Sequence, residues 1–140
     1  MHANTYLNFD GNAEEAFNFY RSVFGGEFLA LMRVSEAPGC ENFPASEQQR
    51  LMHISLRIGK NTVLMASDIL PSVGQQLNIG NNVHISLSPE SREQADKLFE
   101  GLSRGGAVEM PMEDQFWGSY FGSFSDKFGI RWMINYDTMT

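Results

Sequence analysis

Along the first half of the chain, apolar and polar residues alternate in short runs, interrupted once by a wider, helical spacing. Thr5, Leu7 and Phe9 alternate with Asn4, Tyr6 and Asn8, which predicts a strand over residues 4–9. Asp10-Gly11-Asn12 supplies turn chemistry, with Asn12 placed to cap a helix and Glu15 in the capping-box position. Ala13, Ala16, Phe17, Tyr20, Val23 and Phe24 then share one helical face. Gly25-Gly26 ends that helix, because glycine accepts a left-handed backbone. Strands are predicted over 27–34, 51–58 and 62–67, the last two joined by a hairpin turn at Gly59-Lys60-Asn61. Residues 35–50 hold Pro38, Gly39, Asn42 and Pro44 and read as a long loop. This half is β-α-β-β-β.

The second half repeats that order. Residues 82–88 alternate as a strand, Ser88 caps and Pro89 opens a helix, and Ala95, Leu98, Phe99 and Leu102 lie at helical spacing. Gly105-Gly106 ends the helix, and strands follow over 107–111, 118–125 and 130–136. The glycine pairs at 25–26 and 105–106 are offset by 80, and the same offset sets Asn4 against His84. A unit repeated in this way buries its core against its twin. The chain is therefore read as a single α+β domain over residues 1–140, made of a module at 1–67, a linker at 68–81 and a module at 82–137.

Composition narrows the partners. The 140 residues carry 17 acidic against 10 basic side chains, a net charge of −7, and the basic ones are scattered from Arg21 to Arg131. Phosphate-backbone affinity rests on clustered Lys and Arg, so no nucleic-acid partner is expected. No apolar run reaches the roughly 18 residues of a membrane span, and no membrane partner is expected. The opening MHANTYLNFDGN lacks a basic stretch followed by an apolar one and does not read as a signal peptide. A lone Cys40 excludes an intrachain disulfide and suits a cytoplasmic location.

Parity along the strands divides their faces. Leu7, Ile54, Leu56, Val83, Ile85, Leu87, Trp132 and Ile134 belong to faces suited to packing under helices. The opposite faces combine Asn4, Tyr6, Asn8, His53, Ser55, Arg57, His84, Ser86, Arg131, Met133 and Asn135. Such a face either meets water, as one side of an antiparallel sheet commonly does, or lines a cleft with hydrogen-bonding groups and two cations. Phe116, Trp117, Tyr120 and Phe121 form an aromatic cluster beside Glu113 and Asp114, suited to closing over a flat ligand or to core and interface packing. No Gly-rich strand-to-helix turn of the nucleotide-cradling kind is present.

The doubled β-α-β-β-β order resembles the vicinal oxygen chelate superfamily of glyoxalase, bleomycin-resistance and extradiol dioxygenase proteins. Tyr6-Leu7-Asn8-Phe9, Gly11-Asn12, Phe19-Tyr20 and Val83-His84-Ile85-Ser86-Leu87 are similar to its PhnB-like subgroup. So are Phe116-Trp117-Gly118 and the block Asp126-Lys127-Phe128-Gly129-Ile130-Arg131-Trp132-Met133-Ile134-Asn135. The resemblance implies two paired modules forming a curved mixed sheet around a cleft, and a homodimer. In metal-using members it implies a divalent ion held by four ligands, positions that fall here at Asn4, Met65, His84 and Met133. Only His84 among these is a good ligand for a catalytic hard or borderline cation. No metal or other cofactor is therefore expected, and the favoured reading is a protein that binds a small organic molecule. The rival reading is a divalent-metal-dependent lyase, isomerase or dioxygenase of the same superfamily, using His84 with partners such as His53.

Overall fold

The structure is a computed structural model that describes residues 1–138. The chain divides at Asn78/Ile79 into two compact units. The first contains β1 (Thr5–Phe9), α1 (Ala13–Phe24), β2 (Phe28–Arg33), α2 (Ala45–Gln48), β3 (Leu51–Arg57) and β4 (Val63–Asp68). Its four-stranded sheet has the order β1-β4-β3-β2, with β1 and β4 parallel and the other pairs antiparallel. The second contains β5 (Ile85–Leu87), α3 (Arg92–Ser103), β6 (Ala107–Asp114), β7 (Ser119–Ser125) and β8 (Arg131–Asp137). Its order is β5-β8-β7-β6, again with one parallel pair, β5 and β8. Among the described residues the architecture is α+β with two mixed sheets and no closed barrel. No helix among the described residues is long and apolar enough to cross a membrane.

Each long helix covers one face of its own sheet. Ala13, Ala16, Phe17 and Tyr20 of α1 are buried, as are Ile54, Leu56, Leu64 and Ala66 of β3 and β4. The Phe17 ring meets Phe9 and Tyr20 edge-on, with centroids 6.3 and 5.5 Å apart. In the second unit Ala95 and Leu102 of α3 are buried with Phe124, Trp132 and Ile134. Phe99 packs edge-on against Phe124 at 5.0 Å. Gly122 leaves room for it, since a Cβ there would stand 2.9 Å from the Phe99 ring.

Several local expectations are corrected. Asn12 does not cap α1 with its side chain. Instead the buried carboxylate of Asp68, at the end of β4, accepts from the Gly11 and Ala13 amides at 2.9 and 3.0 Å and from Leu51 at 2.8 Å. A carboxylate at a helix N-terminus also meets the positive end of the helix dipole. The cap of α3 is Ser91, whose side chain accepts from the Gln94 amide at 3.1 Å, and not Ser88. The 35–50 stretch is not all loop, because α2 lies within it. Buried Glu47 of α2 accepts from the Ser72 amide and hydroxyl at 2.9 and 2.7 Å. Strand β6 runs on past Pro111 to Asp114, which an edge strand tolerates because one side needs no ladder donors.

Candidate functional site

The register of the two sheets places several of the sequence's candidate residues, Tyr6, Ser86 and Met133 among them, on the faces away from the helices. In the second unit Ser86 lies beside Met133, Met133 beside Ser123, and Ser123 beside Met110. The same row in the first unit is Tyr6, Met65, Ser55 and Ala30. Corresponding residues differ by 80 in the first two strands of each unit and by 68 in the last two. The row before it is where the units part. There His84 stands one residue ahead of β5, and Arg131 opens β8.

Between Val108, which pairs with Phe124, and Met110, which pairs with Ser123, Glu109 is an extra residue. Such a bulge re-aims a side chain, and bulges gather beside functional sites. Glu109 Oε1 stands 3.0 Å from His84 Nε2, and its Oε2 accepts from Arg131 Nη1. An ionised carboxylate only accepts, so His84 Nε2 carries the proton it donates. The His84 hydrogen bond holds the Glu109 carboxyl below its usual range, the charge of Arg131 acts the same way, and partial burial opposes both. By the same offsets the first unit has Asn4, Leu29 and Val63 at these three places, and β2 carries the matching bulge at Leu29. The His84–Glu109–Arg131 trio belongs to the second unit alone. Strand parity found two of its members; Glu109 lies on a strand for which the sequence analysis assigned no faces, although it shares the parity of Ala107 in the row of Ser125 and Arg131. The available signal was an acidic residue set between Val108 and Met110 in the apolar first half of the strand.

The remaining candidates are dispersed. In the first unit the Tyr6 hydroxyl lies 3.3 Å from His53 Nδ1, with Met65 next to Tyr6 in the adjoining strand. Asn4 and Asn8 are exposed. Arg57 shares their side of the sheet but turns its guanidinium to the Lys60 carbonyl at 3.1 Å. Trp117 is half exposed in the β6–β7 connection, meeting the rings of Phe116 and Phe121 at 5.1 and 6.2 Å. Tyr120 is not brought to the His84 face. It pairs with Tyr136 on the helix side, and its hydroxyl donates to Asp96 of α3 at 2.6 Å while Arg92 stacks over its ring at 4.5 Å. The Asp96 hydrogen bond raises the Tyr120 pKa.

Residues 2–134 match the Glyoxalase/Bleomycin resistance protein/Dioxygenase superfamily. The chain belongs to that superfamily. Protein YjdN of Escherichia coli K12 is 32% identical over 96% of this chain and 95% of its own length. The crystal structure of protein PA1353 from Pseudomonas aeruginosa has 36% identity, a TM-score of 0.86 and 98% coverage of both chains. A Bacillus cereus structure described as a putative 3-demethylubiquinone-9 3-methyltransferase, PhnB protein, has 27% identity and a TM-score of 0.78, covering 97% of this chain and 99% of that one. The last likeness supports the PhnB-like subgroup of the glyoxalase-fold superfamily. Within this glyoxalase-fold chain the four family-matched ligand positions hold an amide, two thioethers and one imidazole. Met133 lies beside Ser86 and Met65 beside Tyr6. Among the described residues no three His, Cys, Asp or Glu side chains gather as a metal site. That donor set does not fit a hard divalent ion, because two of its four members are soft thioethers and one amide oxygen with one imidazole is too few.

Proposed function

We propose that this protein binds a small polar or anionic organic molecule on the strand face of its second unit, without a catalytic metal. The observation that carries the reading is the exchange at that face. Where the family pattern calls for a set of metal ligands, His84 is instead engaged by Glu109, which is itself paired to Arg131. Ser86 and Met133 supply a hydroxyl and an adaptable apolar surface beside the trio. The lone Cys40 fits a reducing cytoplasm, and the family resemblance supports a homodimer.

Two measurements test this reading. Purified protein is expected to carry no stoichiometric metal and to melt at the same temperature with chelator, Mn, Fe or Zn. Stoichiometric metal that disappears in His84→Ala would instead establish the metal-dependent alternative. An NMR screen of small carboxylic and hydroxy acids is expected to move the amides of His84, Ser86, Glu109 and Met133. Those shifts should vanish in Arg131→Ala, and a panel that moves none of them contradicts the proposal.

A further inference from the structure

We infer that the first unit carries a second, separate site, for the oxyanion end of a small organic carboxylate or phosphate, at the junction where α1 turns into β2. The two units differ sharply at this junction. In the second, Gly106 packs directly onto the end of β7, and a Cβ there would stand 2.0 Å from the Ser125 carbonyl oxygen. Gly26 and Arg57 are the corresponding residues of the first unit, by the offsets of 80 and 68. There a Cβ on Gly26 would come no closer than 3.8 Å to the Arg57 carbonyl, and one on Gly25 would meet nothing within 4 Å. The junction that is shut in one unit stands open in the other. The opening is a hollow of about 440 Å³, lined by Phe24, Leu29, both glycines, Arg57 and Lys60.

The walls suit an anion with an apolar body. Arg57 and Lys60 place two cations on the hollow, and among the described residues neither forms an ion pair. One arm of the Arg57 guanidinium is fixed on the Lys60 carbonyl at 3.1 Å, which orients the fork and leaves its other donors unspent. A planar fork of this kind matches the two oxygens of a carboxylate or phosphate. Glu27 also borders the hollow, but its carboxylate is held by Arg21 at 3.0 Å, and Arg21 is held in turn by the Gly26 carbonyl at 2.9 Å. Two cations without an ion pair, beside a carboxylate that Arg21 already neutralises, make this a positive spot on a chain of net charge −7. Phe24 and Leu29 give an attached ring or short chain an apolar wall.

Titration of the full chain with phenyl phosphate and with benzoate, followed by backbone amide NMR, tests the inference. At least one is expected to shift the amides of Gly25, Gly26, Gly59 and Lys60 saturably, with a Kd on the order of 1 mM. Removing a charge-assisted hydrogen bond is worth about tenfold or more in affinity, so Arg57→Ala and Lys60→Ala should each weaken binding by that factor. Arg57→Lys should recover only part of it. His84→Ala should leave these shifts unchanged, which separates this site from the proposed ligand face. The inference is overturned if neither probe gives a saturable shift there, or if the shifts survive undiminished in Arg57→Ala.

Discussion

Glu109 is a residue whose meaning lies in its two partners. It shares the parity of Ala107, which pairs with Ser125 in the row of Arg131, and it gives the imidazole and the guanidinium a common acceptor. Its folded pKa is lowered, so its ion pairs add stability above the ordinary carboxylate range, and that contribution is lost as pH falls through the folded value. The side chain is about one-third exposed, at 33%, so screening keeps the contribution small, under about 1 kcal/mol. Glu109→Gln is therefore expected to melt slightly below the parent at neutral pH and to converge with it on acidification below the usual carboxylate range. Melting curves against pH check this, and a difference that persists unchanged at low pH would show that the carboxylate's charge is not what matters. Added salt should shrink the difference at neutral pH for the same reason.

At the scale of elements, two helix starts are held by different means. The start of α3 is tied locally by Ser91, whereas that of α1 is tied by Asp68, from a strand 55 positions downstream of Ala13. Losing an exposed serine cap costs about 1 kcal/mol. Asp68→Ala strands three amides, two of them in buried hydrogen bonds, at about 1–3 kcal/mol for each group left unpaired. Chemical denaturation should therefore show Asp68→Ala several-fold more destabilising than Ser91→Ala, and equal losses would contradict the assignment. The glycine junctions give a similar contrast. Gly106→Ala drives a Cβ into the Ser125 carbonyl and should destabilise severely, while Gly26→Ala meets only the strain of its positive φ, on the order of 1 kcal/mol. These distinctions mark the limit of what sequence shows. Alternation and helical spacing located the strands and long helices, because burial of one face imposes them locally. The Asp68 cap, the buried Glu47 contact with Ser72 and the Glu109 bulge are long-range pairings, which local pattern does not encode.

Across the whole chain, the duplicated plan was legible from two glycine pairs and a doubled element order, yet the functional content of the two copies is unequal. One copy keeps Asn4, Leu29 and Val63 where the other has His84, Glu109 and Arg131, and the copy without that trio has the open hollow with its two cations. A shared scaffold explains how both changes are tolerated. In each sheet two central strands are paired on both sides, β4 and β3 in the first and β8 and β7 in the second. Two outer strands carry exposed apolar side chains, Leu29, Leu31 and Met32 on β2 and Val108 and Met110 on β6. Amides in doubly paired strands with a buried face open only with the core, while edge amides open locally. Hydrogen exchange at high dilution should therefore be slowest in β3, β4, β7 and β8 and fast along β2 and β6. Unpaired apolar edges are also where a second chain adds. If the protein is a homodimer, raising the concentration through the dimerisation range seen by ultracentrifugation should slow exchange in the strand it covers. Edge amides of β2 and β6 that are as slow as the central strands at every concentration would contradict the expectation that core pairing alone sets the ranking.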